Sequence, residues 1–230
     1  LSGDTVYDRS GNGNDGDWNG TGEHWTDLGH EGSGGVFNGS DDYVAVSDND
    51  ILDITGNITL SVWFRPAELD TVEMLISHMS DNGSYGNGFE MQFYNSNKIL
   101  VTYNNGENRI YLYSNKIWTN DDLNKWWHIE FTYDGTYKKI YINGLLDVTE
   151  QAAGFTAGIP SLGLGIGSRE IWLSGTPRRF QGVIDQVQIY DYARTPAQIA
   201  WDYNRGKPVG WWKFDEGEGT TAYDESGNGN

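Results

Sequence analysis

The densest set of metal-type ligands in this chain is one loop, Asp8-Arg-Ser-Gly-Asn-Gly-Asn-Asp-Gly16. Its glycines allow a tight path with carbonyls turned inward, and Asp8 and Asn12 add hard side-chain oxygens. Calcium takes six to eight such donors at about 2.3 to 2.6 Å, more than one loop supplies. Asp185 interrupts the apolar run Val183-Ile-Asp-Gln-Val187, and a carboxylate buried on a strand needs a cation or dense hydrogen bonding. The same residues have a plainer use, in which Asp8 and Asn12 satisfy loop amides as Asx-turns and Asp185 accepts similar bonds.

A second chemistry is sugar recognition. Aromatic rings stack on sugar faces, and planar polar side chains meet hydroxyl pairs with several hydrogen bonds. The residues best placed for it by type and pattern are Glu90, Gln92, Tyr94, Arg109, Trp118 and Trp172, although most of the ten tryptophans should be core, Trp63 and Trp127 above all. Glycoside hydrolysis needs two carboxyls about 5 to 5.5 Å apart in a retaining enzyme. Glu90 and Glu130 are isolated carboxyls that would pair only if their strands adjoin. The four histidines His24, His30, His78 and His128 have no zinc spacing.

These residues must be positioned by strands. Period-two alternation marks Ile58 to Phe64, Gly88 to Tyr94, Ile99 to Tyr103 and His128 to Tyr133, with Gly, Asn and Asp clusters between them. Asp134-Gly and Asn143-Gly turns close a meander from Tyr133 to Gly144. Gly163-Leu-Gly-Ile-Gly167 reads as a strand in close backbone packing. One short helix is expected over Thr195 to Tyr203, with Thr195 as N-cap and Pro196 in the first turn. About a dozen strands and almost no helix predict an all-β, two-sheet antiparallel jelly-roll sandwich with that helix near the C-terminus. Alternation sends Glu90 and Gln92, and likewise His128, Glu130 and Thr132, to outer faces. If the strands neighbour one another, these residues share one groove.

Thirty-three acidic against fifteen basic residues give a net charge of -18, which repels nucleic-acid phosphates and anionic membrane surfaces. Neither nucleic-acid binding nor membrane insertion is expected, and no apolar run approaches the roughly 18 residues of a membrane helix. There is no cysteine, hence no disulfide or thiolate site.

Thr5-Val-Tyr-Asp-Arg-Ser-Gly-Asn-Gly-Asn14 and Thr221-Ala-Tyr-Asp-Glu-Ser-Gly-Asn-Gly-Asn230 are near copies, the mark of a tandem repeat. Residues 1-208 then form a module lacking its opening strand. Residues 209-230 are the opening strand and metal-loop copy of the next repeat, expected to complete the same sandwich in cis or to swap between chains. The ordered motifs Trp212-Lys-Phe-Asp-Glu-Gly217, Asp8 to Gly16, Phe37-Asn-Gly-Ser-Asp-Asp-Tyr-Val44, Ile58 to Phe64, Trp127 to Gly135, Ile140-Tyr-Ile-Asn-Gly144 and Phe180 to Tyr190 resemble the LamG-like, concanavalin A-like lectin/glucanase superfamily.

That resemblance implies a concanavalin A-like sandwich used for recognition in secreted or cell-surface proteins. It also implies a calcium shell completed by a carbonyl near Gly39 and the carboxylate of Asp185. The family's catalytic Glu-x-Asp-x-x-Glu run is missing, so no enzyme activity is expected. The expected function is a calcium-stabilised module binding carbohydrate or another cell-surface ligand, beside neighbouring repeats. The alternative is a structural spacer within a large adhesin.

Overall fold

The computed structural model describes residues 4–69, 72–80, 85–94, 96–169, 178–205, 210, 212–217 and 219–224. An eight-stranded antiparallel sheet runs, in spatial order, β1 (Thr5–Val6), β2 (Gly16–Asn19), β5 (Tyr43–Val46), β14 (Leu164–Ile166), β7 (Glu73–Ser80), β8 (Asn87–Tyr94), β9 (Lys98–Asn105) and β10 (Arg109–Tyr113). Against it lies a seven-stranded sheet of β13 (Leu145–Gln151), β12 (Tyr137–Ile142), β11 (Trp127–Tyr133), β6 (Ile58–Pro66), β15 (Gln181–Tyr190), β4 (Gly34–Asn38) and β3 (Trp25–Thr26). This is the two-sheet jelly-roll sandwich that the alternation predicts. Among the described residues no helix is long and apolar enough to cross a membrane.

The apolar phase of each strand fills the space between the sheets. Ile58, Leu60, Val62 and Phe64 of β6 meet Phe89, Met91 and Phe93 of β8, with Trp118 wedged against Phe64 and Phe93. Full burial of each such side chain contributes about 1.5 to 3 kcal/mol. Trp118, expected as a ligand contact, is therefore a core residue, only 1% exposed. The glycine run is strand β14: a Cβ on Gly163 would lie 2.2 Å from the Val46 carbonyl, and one on Gly167 2.3 Å from the Phe37 ring. Close approach of neighbouring chain makes glycine necessary there.

Asn143 and Gly144, both at positive φ, form the turn after β12, and Asp134 accepts from the Thr136 and Tyr137 amides in the turn before it. Helix α1 (Pro196–Asn204) starts as predicted: Thr195 accepts from the Gln198 amide, and the Gln198 side chain reaches back to the Thr195 amide.

α1 covers the outer face of the seven-stranded sheet. Beneath it His128, Glu130 and Thr132 of β11 do point away from the core, yet all three are buried. Ser61 Oγ and His128 Nε2 share a 2.9 Å hydrogen bond. Trp63 is buried on this same face, stacked between His30, His128 and Tyr203. Arg194 grips Asp202 of α1 at two points, 2.5 and 2.6 Å, and its Nε lies 3.8 Å from Glu130. The condition for a shared groove, that β8 and β11 neighbour one another, is not met, because the two strands belong to different sheets. Glu90 and Glu130 thus face outward on opposite sides of the sandwich and cannot act as a hydrolytic pair.

Within residues 210–224, the described pairing is a bridge between Trp212 and Asp224, and the Tyr223 amide donates to Glu216. Among the described residues, β1 has one strand neighbour, β2.

Burial pushes the Glu130 carboxyl up to about 8, with the Asp202 charge reinforcing the shift and Arg194 opposing it. Burial pushes His128 down to about 3, and His30 and Arg205 add to that. Neutral Glu130 contributes stability that is complete below its ordinary value of 4.5 and lost as pH rises through 8; neutral His128 contributes stability lost as pH falls from 6.5 toward 3. Denaturant unfolding should show the two slopes cancelling between 4.5 and 6.5, with stability falling from pH 6.5 to 8. Glu130→Gln, which keeps the neutral shape, should flatten that alkaline fall. An equal fall in the variant would show that another group causes it.

Candidate functional site

The outer face of the eight-stranded sheet is built by register. Glu90 of β8 stands beside Thr102 of β9, which stands beside Tyr111 of β10; the next row is Gln92, Leu100 and Tyr113. Arg109 ends a third row, opposite Asn104. The face is closed at its β8 end. Arg169 Nε pairs with Glu90 at 2.8 Å and Arg178 donates to Gln92 at 2.9 Å, leaving each partner 3% exposed. Glu90 and Gln92, predicted as ligand contacts, are instead buried and engaged by these two arginines.

At its β10 end the face is open. Tyr85 and Tyr111 are 44% and 47% exposed, and the Arg109 guanidinium lies over both rings at 4.8 and 5.4 Å. Tyr113 meets Tyr111 and Tyr94 edge-on, at 5.9 and 5.7 Å. Arg109 and Tyr94 therefore join one aromatic row with Tyr85, Tyr111 and Tyr113, three residues that sequence reasoning missed. The signal was present: in Arg109-Ile-Tyr-Leu-Tyr113 alternate residues put an arginine and two tyrosines on one face. Burial pushes the Tyr113 hydroxyl up, helped by Tyr94 and Tyr111 against Arg109, so it stays a donor. Ring faces, phenolic hydroxyls and a planar guanidinium are suited to a flat polyol.

Lys138 underpins this edge from the other sheet. Its ammonium bonds the Tyr111 carbonyl, pairs with Glu150 at 2.8 Å and sits 5.3 Å from the Tyr111 ring. Trp172 lies outside the described residues. A cleft of about 30 Å³ beside α1, lined by Trp63, His128, Gln186, Trp201, Asp202 and Arg205, has room for water and not for a sugar ring.

The expected calcium ligands are divided. Asp8 accepts from the Ser10 and Asn14 amides and the Ser10 hydroxyl, and Asn12 donates to Ser10, all within the β1–β2 loop. Desolvation acts against those bonds at Asp8, and their sum still holds its carboxyl below the usual range. Gly39 lies at one end of the β4–β15 ladder, donating to the Phe180 carbonyl, and Asp185 lies at the other, past the Ile184–Gly35 pair. Five residues of strand put roughly 16 Å between them, too far for one calcium shell. Asp185 is also only half-buried, and its carboxylate accepts from the Glu31 and Gln186 amides, so no cation is required to explain it. Among the described residues, the one cluster of three or more His or carboxylate donors placed to hold a metal ion is Asp48, Asp53 and His78.

No curated protein matches the chain. Solved structures match its fold. The binding domain of Paraclostridial Mosquitocidal Protein 1 superposes with TM-score 0.69 at 17% identity over 89% of this chain and 50% of that one. The binding domain of botulinum neurotoxin DC in complex with SialylT gives 0.67 at 17% identity, over 90% and 50%. This chain thus spans about half the length of these toxin domains. Domain 4 of AbnA, a GH43 extracellular arabinanase from Geobacillus stearothermophilus, in complex with arabinotriose, gives 0.59 at 20% identity, over 79% and 81%. A laminin-G family model matches residues 38–200, and with the two-sheet sandwich around those residues the chain belongs to the concanavalin A-like lectin/glucanases superfamily.

Proposed function

We propose that this domain is a non-enzymatic, extracellular glycan-binding module and that the row Tyr85, Arg109, Tyr111, Tyr113 and Tyr94 holds the sugar. The observation that carries the reading is this row of accessible rings and a guanidinium on a sheet face whose other end is closed by Arg169 and Arg178. Two structures of the same fold support it, since they are complexes with SialylT and with arabinotriose. A spacer within an array of repeats is the second reading. It is favoured by the exposed Trp212, Phe214 and Tyr223, apolar surface that an adjoining module would cover.

Glycan-array screening followed by titration calorimetry tests the first reading. Tyr111→Ala and Arg109→Ala should each weaken binding by about tenfold or more, as loss of a contact residue does. Both residues are exposed, so the melting temperature should stay within about 2 °C of wild type. Unchanged affinity in both variants would move the site elsewhere, and no glycan bound by the wild type would leave the spacer.

Calcium enters the proposal through the β1–β2 loop alone, where Asp8 and Asn12 lie together. Excess calcium should raise the melting temperature by roughly 2 to 4 °C for each kcal/mol of binding energy. The rise should reverse with chelator and vanish in Asp8→Asn. A melting temperature indifferent to calcium would make the loop a set of Asx-turns and nothing more.

A further inference from the structure

His78 occupies the middle of β7, in register with Phe89 of β8, and its ring packs edge-on against Phe89. It is fully buried, and neither ring nitrogen closes a hydrogen bond of ordinary geometry, although the Leu52 and Leu162 carbonyls approach it. Burial pushes its pKa down against the pull of Asp53 and Asp48, so the ring is a neutral imidazole with a free lone pair. Nε2 faces Asp48 Oδ1 at 3.8 Å. The Asp53 carboxylate completes the group, with one donor atom from each residue lying within 4.8 Å of the others.

The backbone fixes this convergence. Asp48 and Asp53 flank a single 3-10 turn, Asp50–Leu52, whose N-cap Asn49 accepts from the Ile51 amide. The Leu52 amide donates to the Asn49 carbonyl and the Asp53 amide to that of Asp50, so the turn presents both carboxylates toward β7. Asp53 Oδ1 is buried without a hydrogen bond. Burial pushes that carboxyl up, opposed by His78 and reinforced by Asp48 and Asp50. Two carboxylates and a buried imidazole thus meet at one point, and no lysine or arginine forms an ion pair with Asp48 or Asp53 among the described residues.

We propose that Asp48, Asp53 and His78 bind a divalent transition metal ion. Two carboxylates and a neutral imidazole carry the charge that a divalent cation cancels. The nitrogen donor selects against calcium and magnesium, which take oxygen, and suits zinc, cobalt, nickel or manganese. Metal–donor bonds of about 2.0 to 2.2 Å bring ligands within roughly 4 Å of each other, so only a small inward movement is needed. Asp48 can supply it, because its side chain is 51% exposed. That exposure also leaves an entry path and a position for water. A bound ion would tie the turn after β5 to β7 and so brace two strands that are not neighbours in the eight-stranded sheet.

The test is titration of the chelator-treated full chain with zinc in a calorimeter and with cobalt in a spectrophotometer, with calcium in parallel. The expected result is one equivalent of zinc or cobalt, a visible cobalt d–d band, and at least about tenfold weaker binding in Asp48→Asn and Asp53→Asn. Asp8→Asn should bind zinc as wild type does, which separates this site from the calcium loop. Asp48 is half-exposed, so its variant should fold even where a change at buried His78 does not. No stoichiometric binding, or zinc affinity unchanged in both carboxamide variants, would overturn the proposal.

Discussion

β6 has almost no solvent-facing side, and both halves of the molecule are built on that fact. Its inner residues Ile58, Leu60, Val62 and Phe64 form the centre of the apolar layer, while Thr59, Ser61 and Trp63 are buried on the outer face. Polar groups placed there must be hydrogen-bonded or they cost stability. Thr59 donates to the Tyr192 carbonyl and accepts from the Arg194 amide, and Ser61 is paired with His128. These bonds anchor the chain just before α1. The helix then brings Asp202 onto Arg194, a buried pair whose loss of one partner costs about 3 to 5 kcal/mol. The seven-stranded sheet is thereby closed by its own C-terminal extension.

That closure leaves the outer face of the other sheet as the open one, and there arginine pairs engage only part of the face. Arg169 and Arg178 engage Glu90 and Gln92 on β8, while Tyr111 on β10 stays exposed. An edge strand with open hydrogen-bonding groups is an aggregation hazard. Here the edge is crossed by Lys138, which reaches from β12 to the Tyr111 carbonyl. The ion pair with Glu150 fixes that lysine, so the tyrosine row rests on a stitched edge.

Much of this was legible in the sequence, and the misses share one cause. Alternation located β6, β8, β9 and β11, and the Thr195-Pro pair located α1, because each signal is local. Alternation also sent Glu90 and Glu130 to outer faces correctly. It could not show that those faces belong to different sheets or that distant segments cover them, since sheet order and cover are long-range facts. Asp185 misled because a polar residue in an apolar run reads as buried; the irregularity between Asp185 and Gln188, with Gln186 at positive φ, turns it to the amides of Glu31 and Gln186. His78 shows no metal spacing because its partners come from a turn that precedes β6 and meets β7 only through the fold.

The charge of -18 bears on what the tyrosine row can hold. Most described cations near the sheets are already engaged: Lys138 with Glu150, Lys139 with Asp134, Arg169 with Glu90 and Arg194 with Asp202. Arg109 differs, lying over tyrosine rings with no ion pair among the described residues. An anionic sugar approaching the domain meets a repulsive field within a Debye length, which Arg109 offsets only locally. A neutral sugar meets no such barrier, and the row offers it ring faces for its C–H surface and hydroxyl and guanidinium donors for its oxygens. If the row holds the proposed glycan, its chemistry favours a neutral one, with Arg109 a point at which an acidic group would be tolerated.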